Sequence, residues 1–319
     1  RTHGRVGIGR RPWHTAFMEE CMYINHNQMA SNVANTLTSH YGNLQTSTKR
    51  LSTGLRVNSA ADDAAGLAIR ELMRTDITAL QQGVRNANDA ISLIQTADGA
   101  LGVIDEKLTR MKELAEQAAT GTYDSTQRLM IESEYQAMAS EITRIANATD
   151  FNGIHLLNGN LSGSTHSGAA LSATGKLKVH FGTANDSAED YYYIQIGAST
   201  ASALGVGNQA TASSATADAR TVSTQEQAQK ALLGLTNAVV SKDKIRAHLG
   251  ALQNRLENTI SNLTTQAENL QSAESRISDV DVATEMTSFV RNQILTQSSV
   301  AMLSQANSMQ QMAMQLIGG

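Results

Sequence analysis

Apolar residues recur at helical spacing along most of this chain, in four runs divided by turn signals. In the first, Met29, Val33, Leu37, Tyr41, Leu44, Thr48, Leu51 and Leu55 step by three and four, which places them on one helix face. Gly54 and the polar stretch to Ser59 end it. Ser59, with Asp62 three residues on, matches a capping box that opens the next helix. The second run is the clearest. Met73, Ile77, Leu80, Val84, Ala87, Ile91 and Ile94 alternate steps of four and three, and Leu101, Leu108, Met111, Ala115 and Ala118 continue the register to a C-cap at Gly121. A sustained repeat of about 3.5 residues is the coiled-coil pattern. A helix from Ala61 to Thr120 would be on the order of 90 Å long at roughly 1.5 Å per residue.

The third run starts after Asp124, with Gln127 in capping-box spacing, and its stripe is Ile131, Tyr135, Met138, Ile142 and Ile145. Asn152-Gly153 is a turn signal. The fourth run begins near Ser223, with Glu226 three residues on. Leu249, Leu256, Leu263, Leu270 and Ile277 recur every seven residues, and a last helix carries Leu295, Met302, Met309 and Leu316 at the same spacing. Residues 161–220 differ, being rich in Ser, Thr, Ala and Gly. Within them KLKVHFG (176–182) and YYYIQIG (191–197) flank a polar turn and read as a β-hairpin. Gly205-Val206-Gly207-Asn208-Gln209-Ala210 lacks the βαβ context of a dinucleotide loop and reads as a flexible Gly/Ala linker.

Each stripe needs a partner, and the N- and C-terminal segments both have heptad faces. The simplest solution folds the chain back so that its ends run together. The expected fold class is mainly α: a long antiparallel coiled-coil bundle of N- and C-terminal segments, with a small β-hairpin region in the middle. Residues 59–160 and 221–281 form the rod, and its core draws on Met73, Ile77, Leu80, Val84, Ile91, Ile94, Leu249, Leu256, Leu263, Leu270 and Ile277. Residues 22–58 and 282–319 form a separate helical pair. These arms are rich in Asn, Gln, Ser and Met, so they are expected to be marginal alone and ordered by neighbouring subunits.

Chemistry removes other classes. Aromatics are 4% and there is a single Pro, unlike a conventional compact enzyme. The net charge of −4 leaves no electrostatic footprint for nucleic acid. No run of about eighteen apolar residues exists for membrane insertion. The eight His are scattered, and no HExxH, GxSxG or P-loop occurs. Asp62-Asp63 reads as acids in a helix's first turn rather than metal ligands, and Met286, Met302, Met309 and Met312 read as packing. No catalytic residue, metal or cofactor is expected.

The segments NLQTSTKRLSTGLRVNSAADDAAGLAIRELMR (43–74), RNANDAISLIQTADGALGVIDEKLTRMKELAEQAATGT (85–122) and SAESRISDVDVATEMTSFVRNQILTQSSVAMLSQAN (272–307) resemble bacterial flagellin. The resemblance covers roughly 22–160 and 220–319. It implies a non-enzymatic subunit, exported unfolded through the flagellar type III apparatus without a cleaved signal, that polymerises into the extracellular filament. The implied partners are copies of itself, an export chaperone, and cap and hook-associated proteins. A hook–filament junction protein and a non-polymerising coiled-coil interaction protein are the alternatives. Residues 1–21 hold the only Pro, Trp and Cys, and the flagellin-like sequence begins at Met22, so they read as a non-native upstream extension. Arg110, Leu114 and Glu134 match family positions contacted by a vertebrate Toll-like receptor. This chain departs from the family there at Lys112, usually Arg, and at Glu116, often apolar.

Overall fold

The computed structural model describes residues 26–163, 175–186, 189–208 and 220–317. The expected extension at 1–21 and most of the Ser/Thr-rich stretch lie outside these residues. The described elements, in order, are α1 (Gln28–Thr53), α2 (Ala64–Ala119), α3 (Ser125–Ala148), β1 (Asp150–Phe151), β2 (Ile154–His155), β3 (Leu177–His180), β4 (Tyr191–Ile194), α4 (Ala201–Leu204), α5 (Gln225–Ser278) and α6 (Val282–Ile317). They divide into two compact units. One comprises the segments up to Leu67 and from Ser278 onward, and the other is Ala68–Ile277.

In the first unit α1 and α6 pack antiparallel. Asn27 Nδ2 donates to the Ala306 carbonyl at 3.1 Å near one end of the pair, and Arg50 lies 3.5 Å from Glu285 near the other. Asn27 also caps α1, its side-chain oxygen accepting from Ala30 N at 2.9 Å. Gly54 ends the helix at φ 72°, a left-handed conformation that costs glycine little. The chain then pairs with the segment entering α6. Val280 N donates to Gly54 O at 3.0 Å, and Leu55 bridges Asp279.

Ser59 does not cap the second helix. It sits in a turn latched by Asp62, whose carboxylate accepts from Ser59 N and Ser59 Oγ, both at 3.0 Å. The Ser59 hydroxyl in particular holds that carboxyl below the usual carboxylate range. The cap is Asp63, accepting from Gly66 N at 2.9 Å. The capping-box pattern therefore marked the turn rather than the first helical residue.

The second unit holds the large core. The α2 and α5 helices run antiparallel, with Lys242 Nζ 2.5 Å from Asp105 and Arg246 Nε 2.7 Å from Asp98. Alongside them α3 packs its expected stripe, with Ile131, Tyr135 and Ile142 buried and Met138 and Ile145 half-buried. Its start follows the expected pattern, Gln127 Oε1 accepting from Asp124 N at 3.1 Å. Gly121 is not a left-handed cap. Instead Arg128 reaches back from α3 and donates to the carbonyls of Ala118 (3.1 Å) and Thr120 (3.0 Å), which the end of α2 leaves free.

Asn152 (φ 51°) and Gly153 (φ 79°) make the tight turn between β1 and β2. The expected hairpin is β3 and β4, in antiparallel register from Leu177↔Ile194 to His180↔Tyr191. It docks on both long helices. Asn86 Nδ2 of α2 donates to His180 O at 2.8 Å, and the Arg255 guanidinium of α5 lies 3.5 Å over the Tyr192 ring. Residues 205–208 are not the expected linker, whose last two residues, 209–210, lie outside the described residues. Thr200 caps α4, Gly205 ends it at φ 75°, and Val206 enters the core. Gln136 of α3 then binds the chain at two places, accepting from Asn208 N at 2.8 Å and donating to Arg220 O at 2.7 Å.

Candidate assembly interface

The eleven seam positions expected in the rod divide by burial. Ile77, Leu80, Ile94, Leu249, Leu256 and Leu263 are buried, while Met73, Val84, Ile91, Leu270 and Ile277 are half-buried. On α2 the burial is widest between Ala87 and Ala118, where Ala90, Leu93, Ala97, Ile104 and Leu114 add to the seam. These join one core with side chains of α3, α5 and the hairpin, and a helix with neighbours on more than one side buries a wider arc than a two-stranded seam. Leu80 and Leu263 belong to a smaller cluster closed by Phe181 of the hairpin region.

Of the three residues matched to a receptor surface, only two are exposed. Arg110 Nη2 lies 2.8 Å from Glu134 Oε1 across the α2–α3 contact, and Arg110 Nη1 lies 3.0 Å from Glu113. Glu134 above all raises the Arg110 pKa. Leu114 is 1% exposed, in the same core as Ile131 and Tyr135. Helical spacing of four brought it close to Arg110, but α3 covers it.

The arm helices depart most from expectation. On α6 the positions turned toward α1 are Glu285, Phe289, Asn292, Thr296, Ser299, Leu303, Ala306 and Gln310, stepping by four and three. This seam is mostly polar, with Phe289 and Leu303 its large apolar members, and Thr296 is buried in it. The expected stripe of Leu295, Met302, Met309 and Leu316 lies beside that seam and is exposed, Met302 at 57% and Leu316 at 85%. On α1, Val33, Leu37, Leu44 and Leu51 are half-buried as expected, but Met29 and Tyr41 are exposed and Ser47 is buried. His40 Nδ1 is buried in this unit without a hydrogen-bond partner among the described residues. Small side chains let the helix axes approach, yet they bury little apolar area, so the pair gains little from its own seam.

What α6 leaves outside is large. Eleven of the twenty-one large hydrophobic side chains exposed among the described residues lie on this one helix, from Val282 to Leu316. Shallow grooves run along the unit, one lined by Tyr41, Leu44, Gln45, Thr48 and Lys49, another by Met286, Val290, Arg291 and Ile294. Apolar surface concentrated in this way marks a contact face rather than a solvated one. Among the described residues no cluster of His, Cys, Asp and Glu has metal-ligand geometry, and no helix is long and apolar enough to cross a membrane.

The family model of the bacterial flagellin N-terminal helical region matches residues 24–162, and that of the C-terminal helical region matches 232–317. A flagellin of Bacillus subtilis is 43% identical over 309 residues, spanning 93% of this chain and 100% of the relative. The chain belongs to the bacterial flagellin family. The flagellar filament 33 kDa core protein of Treponema phagedenis is 40% identical over 296 residues, again across 93% of this chain and all of the relative. A solved structure of a putative flagellar hook-associated protein from Vibrio parahaemolyticus has a TM-score of 0.51 and covers 68% of this chain and 100% of its own, at 13% identity. That likeness concerns the fold alone. In this flagellin the large-leucine heptads could be read from the sequence. The α6 side of the α1–α6 seam could not, nor could Ser47 on α1, because neither Thr296 nor Ser47 carries a hydrophobic signal.

Proposed function

We propose that this chain is a structural subunit that polymerises into a bacterial flagellar filament outside the cell, and that the α1–α6 unit is the part neighbouring copies cover. One observation carries the reading: α6 keeps a mostly polar seam for α1, with Phe289 and Leu303 its large apolar members, and turns eleven Val, Ile, Leu and Met side chains outward. A helix so built is half of an interface. Covering its outer face with another copy would bury apolar surface at roughly 25 cal/mol per Å², and a head-to-tail contact that does not close builds a helical polymer. Filament relatives matched over their whole length support this reading over the junction-protein alternative, whose structural likeness is at 13% identity. Export through the type III apparatus, an export chaperone, and cap and hook-associated proteins follow from the same family. Receptor contact, where it occurs, falls to Arg110 and Glu134, with Leu114 supporting them from below.

The test is seeded growth. Purified protein added to sheared filament seeds should elongate them under negative-stain microscopy, and a proteolytic core lacking both arms should not. Growth by the trimmed core equal to that of the full chain would refute the assignment of the arms, and a full chain that never elongates seeds would refute the filament reading.

A further inference from the structure

Five methionines lie on α6, and all five are exposed: Met286, Met302, Met309, Met312 and Met314, between 44% and 57%. Met111, in the core of the other unit, is 0% exposed. The other exposed apolar side chains of α6 are Val, Ile and Leu, which peroxides leave untouched. A thioether is different. Its sulfur attacks a peroxide oxygen, an S–O bond forms as the O–O bond breaks, the sulfur is oxidised by two electrons, and the peroxide leaves as water or an alcohol. The product is a polar, chiral sulfoxide where an apolar, flexible chain had been.

We propose that Met302, Met309, Met312 and Met314 form an oxidation site that disables the subunit before assembly and becomes inaccessible after it. The proposal rests on the filament reading above. Met302 and Met309 share a heptad position with Leu295 and Leu316, next to seam residues Leu303 and Gln310. The same helix surface is therefore reactive at two of its four positions and inert at the other two. In a free subunit the sulfurs face solvent, and hydrogen peroxide is enough to convert them. In a polymer the covering subunit excludes the oxidant. A sulfoxide made beforehand has to give up its bound water on burial, which opposes the contact. Reduction of the sulfoxide by a methionine sulfoxide reductase restores the thioether, so the block is reversible.

The experiment compares monomer and seeded polymer of the full chain, each treated with hydrogen peroxide and mapped by peptide mass spectrometry. Monomer should gain oxygen at Met302, Met309, Met312 and Met314 while Met111 stays reduced. Polymer should show slow oxidation at the same four. Oxidised monomer should extend untreated seeds about tenfold more slowly or worse, and reductase treatment should return the rate. A chain with all four changed to Leu should fit the contact, since Leu keeps each position apolar at a similar volume, and should keep its extension rate after peroxide. Extension by oxidised wild type at the untreated rate overturns the proposal and leaves the filament reading intact, as does equal oxidation in monomer and polymer. If the quadruple variant does not assemble, the reductase arm decides: a rate not restored after the sulfoxides are reduced also overturns it. Failure of untreated wild type to extend seeds overturns both.

Discussion

Gly83→Ala should destabilise the protein, against the ordinary rule for helices. In a helix interior Ala is favoured over Gly by about 1 kcal/mol. Gly83 lies about a third of the way along α2, beneath the residues that follow β3. A Cβ there would stand 2.0 Å from the Phe181 carbonyl oxygen and 2.8 Å from its carbon. Carbon and carbonyl oxygen ordinarily meet at roughly 3.3 Å or more, so the hairpin has to withdraw by about 1 Å, because a helix backbone cannot. Two contacts go with it. Asn86 Nδ2 donates to His180 O at 2.8 Å from the next turn, worth about 1 kcal/mol. Phe181 is 2% exposed between Leu80 and Leu263, and forcing such a site costs about 1–3 kcal/mol. Less the propensity gain, the net loss is about 1–3 kcal/mol. Gly99 and Gly102 on the same helix are the controls, since nothing lies within 4 Å of a Cβ at either. Gly99→Ala should stabilise by up to about 1 kcal/mol. Thermal melts of dilute, unseeded protein by circular dichroism would read each kcal/mol as about 2–4 °C. Near-ultraviolet dichroism of the tyrosines would report the hairpin. A Gly83→Ala melt as high as that of Gly99→Ala would refute the docking argument.

Leu256→Ala, in the main core, should cost about 3–5 kcal/mol in urea unfolding, and Leu263→Ala, in the small cluster under the hairpin, about 2–3 kcal/mol. Leu263→Asp should be worse than either, and a curve unchanged by it would show that the seam is misplaced. Arg246 holds the Asp98 carboxyl below the usual carboxylate range. A folded pKa below the unfolded one gives stability that is present above about pH 4 and is lost as pH falls through the folded value. Arg246→Gln should therefore lower stability near pH 7 by less than about 1 kcal/mol, because the pair is partly exposed, and the gap should close in acid. A gap that stays constant down to about pH 2 would exclude the ion pair as its source. Arg110→Ala should weaken receptor activation by monomer in a cell reporter assay with far-ultraviolet dichroism unchanged, and equal signalling would reject the contact.

Large side chains at regular spacing made the rod legible. Leu249, Leu256 and Leu263 could hardly be read otherwise, and the hairpin was set out by two β-prone runs around a polar turn. Three features were hidden, for different reasons. Half of the α6 seam positions, Asn292, Thr296, Ser299 and Ala306, are small residues with no strong apolar signal, so a search by hydrophobicity selects the stripe beside them. Leu114 lies four residues from Arg110, and only the position of α3 decides that one is covered and the other is not. Gly83 looks like any weak helix residue until the partner backbone that needs the space is known.

The leucine heptads of α5 have a degeneracy that the charged residues remove. A seven-residue repeat looks the same after a slide of seven residues, so apolar packing alone leaves the two long helices free to choose among several phases. Lys242 opposite Asp105 and Arg246 opposite Asp98 do not repeat. Slid one way, Lys242 meets Asp98 while Arg246 meets Ile91 and Asp105 is abandoned. Slid the other way, Arg246 meets Asp105 while Lys242, almost wholly buried, is driven against Lys112. Either error strands a charge. The leucines supply adhesion and the two cations supply the address, so a rod able to stick in many alignments is left with one in which Lys242 and Arg246 each meet an aspartate of α2.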